Sequence, residues 1–224
     1  MIEPIAYIHT DFKEKFGIPR QSGRVPELLG KIVFIPKYRD PDALRGIEEF
    51  SHLWLIFDFS KAHRTKEFTP TVRPPRLGGN TRVGVFASRS PFRPNNIGLS
   101  SVKLIGIETD KINGDTLIVA GADLLDGTPI YDIKPYIPYT DCHSDAIGGY
   151  ADREANHTLK VEYDNKVLAV VPIEKRRALI GCLANDPRPS YQNDKRDYTM
   201  SFAGFDVHFY VDNDILYITH IDKL

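Results

Sequence analysis

Apolar residues in the first two-thirds of the chain recur in short blocks with the spacing of strands. Ile32 to Ile35, Leu53 to Phe59, Arg82 to Ser88, Val102 to Glu108 and Leu117 to Asp123 are rich in β-branched, aromatic or alternating apolar residues. Loops bearing Gly and Pro separate them. One short helix is predicted: Asp40-Pro41 offers an N-cap and a proline at the first helical position, and Leu44, Ile47 and Phe50 form a stripe of about two turns. Strands this numerous without helices between them argue against a doubly wound parallel sheet and for an antiparallel barrel or sandwich.

Between residues 141 and 157 the chain turns polar, with His143-Ser144-Asp145, Gly148-Gly149 and Asp152 to Asn156, and a domain boundary is expected there. This divides the chain into residues 1–150 and 151–224. The second part should hold a strand at Leu159 to Tyr163, another near Val167 to Val171, and a helix from Ile173 to Ala184. In that helix Ile173, Ile180 and Ala184 share one side, joined by Leu179 and Leu183, while Lys175, Arg176 and Arg177 face water. The helix stops before Asp186-Pro187-Arg188-Pro189, because proline disfavours helical geometry in the residue before it. A hairpin ends the chain: Val207, Phe209 and Val211 alternate, Asp212-Asn213-Asp214 turns, and Ile215, Tyr217, Thr219 and Ile221 alternate again.

Composition narrows the class. The 224 residues, 42% hydrophobic and 26% charged, describe a globular protein. No apolar run approaches the roughly 20 residues needed to cross a bilayer, and Met1-Ile2-Glu3-Pro4 lacks a signal-peptide layout, so a cytoplasmic location is expected. Cys142 and Cys182 lack ligand or disulfide spacing and read as two unpaired thiols in or near cores. No two of the seven histidines stand at metal-ligand spacing, so no metal is expected; His52, at the entry to an apolar strand, reads as a hydrogen-bonded core residue. Net charge is only −1, yet Lys61 to Lys103 holds nine Lys or Arg against the single acid Glu67, leaving 20 basic and 29 acidic residues elsewhere. Such segregation either attracts phosphates or is balanced by acids folded beside it.

Three loops carry candidate chemistry. Arg73-Pro74-Pro75-Arg76-Leu77-Gly78-Gly79-Asn80 holds two arginines on a proline-restricted backbone, which reads as a phosphate clamp or a surface connector. Arg89-Ser90-Pro91-Phe92-Arg93-Pro94-Asn95-Asn96 is a rigid polar surface for a carboxylate or an adenine edge, or else a turn capped by a stacked Phe92. Asp123-Leu124-Leu125-Asp126-Gly127-Thr128-Pro129 is a tight turn, after which Asp132 lies on extended chain; either aspartate binds hydroxyls, takes a proton, or caps its own turn. Pro19 to Gly23 is a further polar turn. No Walker, Rossmann, HExxH or GxSxG motif occurs.

Together, Pro19-Arg20-Gln21-Ser22-Gly23, Gly46 through Trp54, Arg73 through Asn80, Gly84 through Gly98, Asp126 through Pro138 and Asp186 through Tyr191 closely resemble the TrmO family, the tRNA N6-threonylcarbamoyladenosine methyltransferases. The resemblance implies a mainly β protein: a small antiparallel β-barrel domain that binds S-adenosyl-L-methionine, followed by a smaller α+β domain, assembled as a homodimer. It also implies methylation of N6 of threonylcarbamoyladenosine at position 37, in the anticodon arm of threonine tRNA. Carried over by motif, Gln21, Ser22, Gly23, Ser60, Lys61, Arg89, Leu99, Asp126, Gly127, Thr128 and Pro129 should surround the methyl donor. Ser60 and Lys61 stand where the family usually has a histidine-containing loop, and Asn96 replaces a common proline. Asp132 and Asp126 are the candidate proton acceptors, and Arg73, Arg76, Arg93, Arg188, Tyr191, Lys195 and Arg196 the candidate tRNA contacts. The competing reading is a regulatory module that binds S-adenosylmethionine or a nucleotide without catalysis.

Overall fold

The computed structural model describes residues 2–59, 61, 68–74, 77, 80–154, 157–189 and 195–224. Six strands form a ring: β1 (Ala6–His9), β2 (Leu29–Phe34), β3 (His52–Asp58), β6 (Ile97–Asp110), β7 (Gly114–Ala120) and β8 (Thr128–Pro135). They pair antiparallel in the order β1-β2-β7-β6-β3-β8, and β8 returns to β1, closing a barrel that has no free edge. Alternate residues of each strand point inward, so Ile8, Ile32, Leu53, Leu55, Leu117 and Ile130 are fully buried in one core.

A second sheet, in the order β10-β11-β12-β9, comprises β9 (Lys160–Glu162), β10 (Asp197–Phe202), β11 (Phe205–Asp212) and β12 (Ile215–Lys223). It packs with the short helix α2 (Asn165–Leu168) and with α3 (Ile173–Ala184), while α1 (Pro138–Asp141) follows β8. This second core is not made by the C-terminal residues alone. Phe12, Val25 and Leu28, from the segment between β1 and β2, are buried in it with Leu179, Phe202 and Phe209. Polar contacts follow the same seam: Lys175 donates to Asp11 at 2.7 Å, Arg24 to Asn185 at 3.0 Å, and the Ala203 amide to the Asp11 carbonyl at 2.9 Å.

Several expectations change. Asp40 does cap, accepting from the Asp42 amide, but the helix breaks into the 3-10 turns Pro41–Leu44 and Ile47–Glu49 because Gly46 takes φ 84°. The strand expected over residues 82–88 shrinks to β5 (Val83–Gly84), paired with β4 (Thr71–Val72), before a 3-10 turn at Val85–Ala87. Val167 lies in α2, where Asp164 caps the Lys166 amide, so the chain coils there instead of extending. In α3 the buried residues are Ala178, Leu179, Cys182 and Leu183; Lys175, bonded to Asp11, shares their face, and Ile173, about 200° from it around the helix, is exposed. His52 is exposed and bonded to the neighbouring Ser51 hydroxyl, and Cys142 is exposed while Cys182 is buried. No described helix is long and apolar enough to cross a membrane.

Gly98, which ends the Arg89 loop, shows how tightly that loop is docked. A Cβ at Gly98 would lie 2.2 Å from Cζ of the buried Phe57 ring. Gly98→Ala should therefore lower stability by about 1–3 kcal/mol in urea unfolding, the cost of overpacking. Unchanged stability would show that the ring yields freely.

Candidate functional site

The turn at residues 19–23 is fixed from two sides. The Gly23 amide donates to the Gly121 carbonyl at 2.8 Å, and a Cβ at Gly121 would meet the Gly23 backbone at 3.1 Å. Both glycines have positive φ, 75° and 77°, so the close approach and the turn each favour glycine there. On the other side Arg20 donates to the Arg188 carbonyl at 3.0 Å, joining the turn to the loop that follows α3.

The Arg89 loop is braced from within. Ser88 donates to the Val85 carbonyl at 2.9 Å, Asn96 to the Pro91 carbonyl at 3.0 Å, and Arg93 to the Val85 and Ser88 carbonyls at 3.1 and 2.7 Å. Arg89 itself is exposed and donates to the Gln21 side-chain oxygen, which brings the two loops together. Phe92 is exposed, and the stacked pair is Phe68 with Phe86, 6.2 Å apart, with the Arg93 guanidinium 5.7 Å from the Phe86 ring.

Ser22 and Arg89 meet at Asp123, a residue to which the sequence motifs give no role, and Gln21 joins them through Arg89. The Asp123 carboxylate accepts from the Ser100 hydroxyl at 2.7 Å and from the Ser22 amide, and it feels the charge of Arg89. Burial raises its pKa above the ordinary aspartate value, against those donors. Part of its surface still reaches solvent, as a group lining a ligand site would. Ser100 faces the barrel interior on β6, so Asp123 sits at the barrel's mouth. Its signal in the sequence was faint, because an aspartate ahead of a turn looks like a cap.

The turn after Asp123 is placed differently from what the motif implied. Asp126 accepts from the Thr10 amide at 3.0 Å and from Lys13, with His9 at 3.3 Å. Burial pushes its pKa up, but Lys13, the Thr10 amide and His9 outweigh that and leave it below the ordinary range. It is therefore a weak base already engaged in fastening its own turn. Thr128 is buried, its hydroxyl spent on the Leu125 carbonyl at 2.7 Å, and Pro129 pairs with Tyr7 in the barrel seam. Gly127 is exposed. Leu99 is exposed on the face of β6 opposite Ser100. The Lys61 carbonyl accepts from Lys15. Asp132 pairs with Lys134 at 3.0 Å, roughly 13 Å along β8 from Thr128 by strand rise, so no single reacting nitrogen touches both Asp126 and Asp132.

Among the candidate phosphate contacts, Arg73, Lys195 and Arg196 are exposed. Lys195 pairs with Asp212 at 3.0 Å and Arg196 donates to the Tyr198 hydroxyl at 2.9 Å. Arg188 is a correction: it is only 8% exposed and its guanidinium is spent on Asp186, so it is a buried brace. Arg93 is likewise a brace for its loop. Ser60, Arg76 and Tyr191 lie outside the described residues.

This site sits in a chain whose relatives are recognisable. The family profile of the tRNA-methyltransferase O N-terminal domain matches residues 7–142, and that of the TrmO C-terminal domain matches residues 156–224. The chain belongs to the tRNA-methyltransferase O family. It is 41% identical over 220 residues to the tRNA (adenine(37)-N6)-methyltransferase of Escherichia coli K12, covering 93% of this chain and 92% of that one. It is 41% identical to a putative S-adenosylmethionine-dependent methyltransferase, RcsF, of Pseudomonas aeruginosa, covering 93% and 91%. A crystal structure of TrmO from P. aeruginosa superposes with a TM-score of 0.81 at 35% identity, covering 100% of this chain and 97% of that one.

A raised carboxyl pKa has a stability consequence of definite sign. Asp123 is harder to ionise folded than unfolded, so its contribution is full at low pH and is lost as pH rises through its folded pKa. Asp123→Asn, neutral throughout, escapes that loss. Its Tm relative to the wild type should climb as pH is raised from about 4 to 8. A pH-independent difference would mean that the carboxyl is not strained by burial.

Proposed function

We propose that this chain methylates N6 of adenosine 37 in tRNA using S-adenosyl-L-methionine, and that its substrate nucleoside is threonylcarbamoyladenosine in threonine tRNA. The observation that carries the reading is the meeting of Ser22 and Arg89 at Asp123, with Gln21 bonded to Arg89, at the barrel mouth in a chain of this family. Those groups fit the methyl donor chemically. Arg89 offers a guanidinium fork for a carboxylate, and Asp123 and Gln21 offer acceptors for an ammonium group and for hydroxyls. When bound, the donor supplies an electrophilic methyl group on a sulfonium.

The protein's own work is orientation. The turn at 19–23 and the Arg89 loop are both rigidly tied, so little motion is lost when they close on a ligand. The attacking N6 must lose its proton, and of the two candidate acceptors Asp132 has the more accessible carboxylate, since Asp126 is held by Lys13 and Thr10. For the anticodon arm, exposed Phe68, Phe86 and Phe92 stand in the basic segment that includes Arg73, Arg82 and Arg89, offering stacking faces beside positive charge. Lys195 and Arg196 extend that surface through residues 151–224, the proposed second domain. The protein acts in the cytoplasm as a homodimer, for which exposed Ile97, Leu99 and Ile105 on β6 provide an apolar face.

Single-turnover methyl transfer to purified threonine tRNA, at saturating donor for the acceptor variants, tests the whole reading. The wild type should methylate the modified adenosine. Arg89→Ala should weaken donor binding about 10- to 100-fold, the worth of a hydrogen bond to a charged group. Asp132→Asn should slow the step about 100-fold or more, while Asp126→Asn retains most of the rate. Donor binding without any transfer would instead make the protein a sensor, and full rates in both Asn variants would remove both aspartates as acceptors.

A further inference from the structure

His208 on β11 and His220 on β12 are directly paired across the hairpin, their rings 3.8 Å apart and parallel within 6°. Both Nε2 atoms face one carboxylate oxygen, Oδ2 of Asp222, at 3.2 and 3.5 Å. A β-bulge creates this cluster. Leu216 and Ile218 point inward, and simple alternation would send His220 inward as well. Thr219 is the extra residue between the pairs Phe209–Ile218 and His208–His220, and it turns His220 out beside His208.

The hydroxyls behind the rings fix the chemistry of that meeting. Thr219 Oγ1 donates its hydrogen to the His208 carbonyl at 3.1 Å, so toward His220 Nδ1, 3.2 Å away, it can only accept. With both bonds made, His220 carries its hydrogen on Nδ1. When neutral, its Nε2 is a bare lone pair aimed at the Asp222 carboxylate, and two acceptors 3.5 Å apart repel unless a cation lies between them. The Thr199 hydroxyl lies 3.0 Å from His208 Nδ1, and which of the two donates follows the imidazole tautomer. An acceptor on the far ring N–H is what orients a metal-ligating histidine, and the Thr219 hydroxyl can fill that place for His220.

We propose that His208, His220 and Asp222 bind a divalent first-row transition-metal ion of the zinc class. Two imidazoles and a carboxylate are suitable ligands for such an ion. Zn–N bonds of about 2.0–2.1 Å in a tetrahedron set ligand atoms about 3.3 Å apart. The two N–O separations of 3.2 and 3.5 Å bracket that value, and all three ligand atoms lie within 4.8 Å of one another. Lone pairs of parallel rings 3.8 Å apart do not converge, so binding one ion requires each ring to turn by roughly 50° to reach tetrahedral directions. His220 and Asp222, with side chains 58% and 66% exposed, have room for most of that motion, whereas His208, at 27%, turns less freely. Asp206 pairs in register with Asp222 on the same face, adding negative charge beside the site. Three protein ligands leave a coordination position open to water or another ligand.

Isothermal titration of the full-length, chelator-treated protein with Zn2+ alone, in a buffer that does not bind the ion, tests the proposal. The expected result is one site per chain, weakened at least tenfold by His208→Gln and by His220→Gln and less by Asp222→Asn. All three side chains lie on the outer face of the sheet, so unchanged thermal unfolding of the metal-free variants verifies their fold. Co2+ in place of Zn2+ should give visible absorption bands that the double histidine variant lacks. No binding by the wild type up to 1 mM would overturn the site. So would unchanged affinity in the double variant, which would move the ion to other residues.

Discussion

A carboxylate withdrawn from water must gather donors or positive charge around it, and Asp123 imposes that demand at the mouth of the barrel. The Ser100 hydroxyl from a barrel strand, the Ser22 amide from the turn at 19–23 and the charge of Arg89 all answer it. Three segments far apart in sequence are thereby held to one point. Because hydrogen bonds to charged groups contribute about 1.5–3 kcal/mol, the arrangement is a real constraint on those loops. Asp123 still keeps some surface open, so the group that organises the site can also touch what enters it.

The barrel and the C-terminal sheet are coupled through the same N-terminal segment. Phe12, Val25 and Leu28 complete the second core, while the turn between Phe12 and Val25 carries Gln21 and Ser22 to Asp123. Arg20 adds a bond to the Arg188 carbonyl, and Arg188 is itself locked by Asp186, whose φ of 51° lets the two side chains close on each other. The last third of the chain therefore acts on the site mechanically, whatever surface it offers to RNA. Removing it would uncover Phe12, Val25 and Leu28, so point substitutions report on its role more cleanly than truncation.

What the sequence made legible follows from which interactions are local. The central barrel strands and α3 announced themselves through periodicity, and the stop at Asn185 through the following Asp-Pro. The extended chain expected after the Asp126 turn is β8, whereas β1 and β10 are short and unevenly apolar and extend because partners across the sheet complete their bonding. The terminal hairpin was read correctly as a hairpin, but its buried face on β12 is Leu216 and Ile218, since the bulge at Thr219 resets the alternation. In the site, Gln21, Ser22 and Arg89 were accessible through family motifs. Asp123 depends on a hydroxyl from another strand, and Arg188 on a backbone turn two residues before it, neither of which spacing reveals. His208 and His220 were unreadable as a pair for the same reason: only the hairpin and its bulge make them neighbours.

On the proposed function, Asp123 and Arg89 act as one unit in holding the methyl donor. A double-mutant cycle measures this most directly: S-adenosylmethionine affinity by titration calorimetry for the wild type, Asp123→Asn, Arg89→Lys and the double variant. Non-additivity of at least about 1 kcal/mol is expected for residues in one charge network. Effects that add to within about 0.3–0.5 kcal/mol would contradict it, leaving two residues that contribute separately.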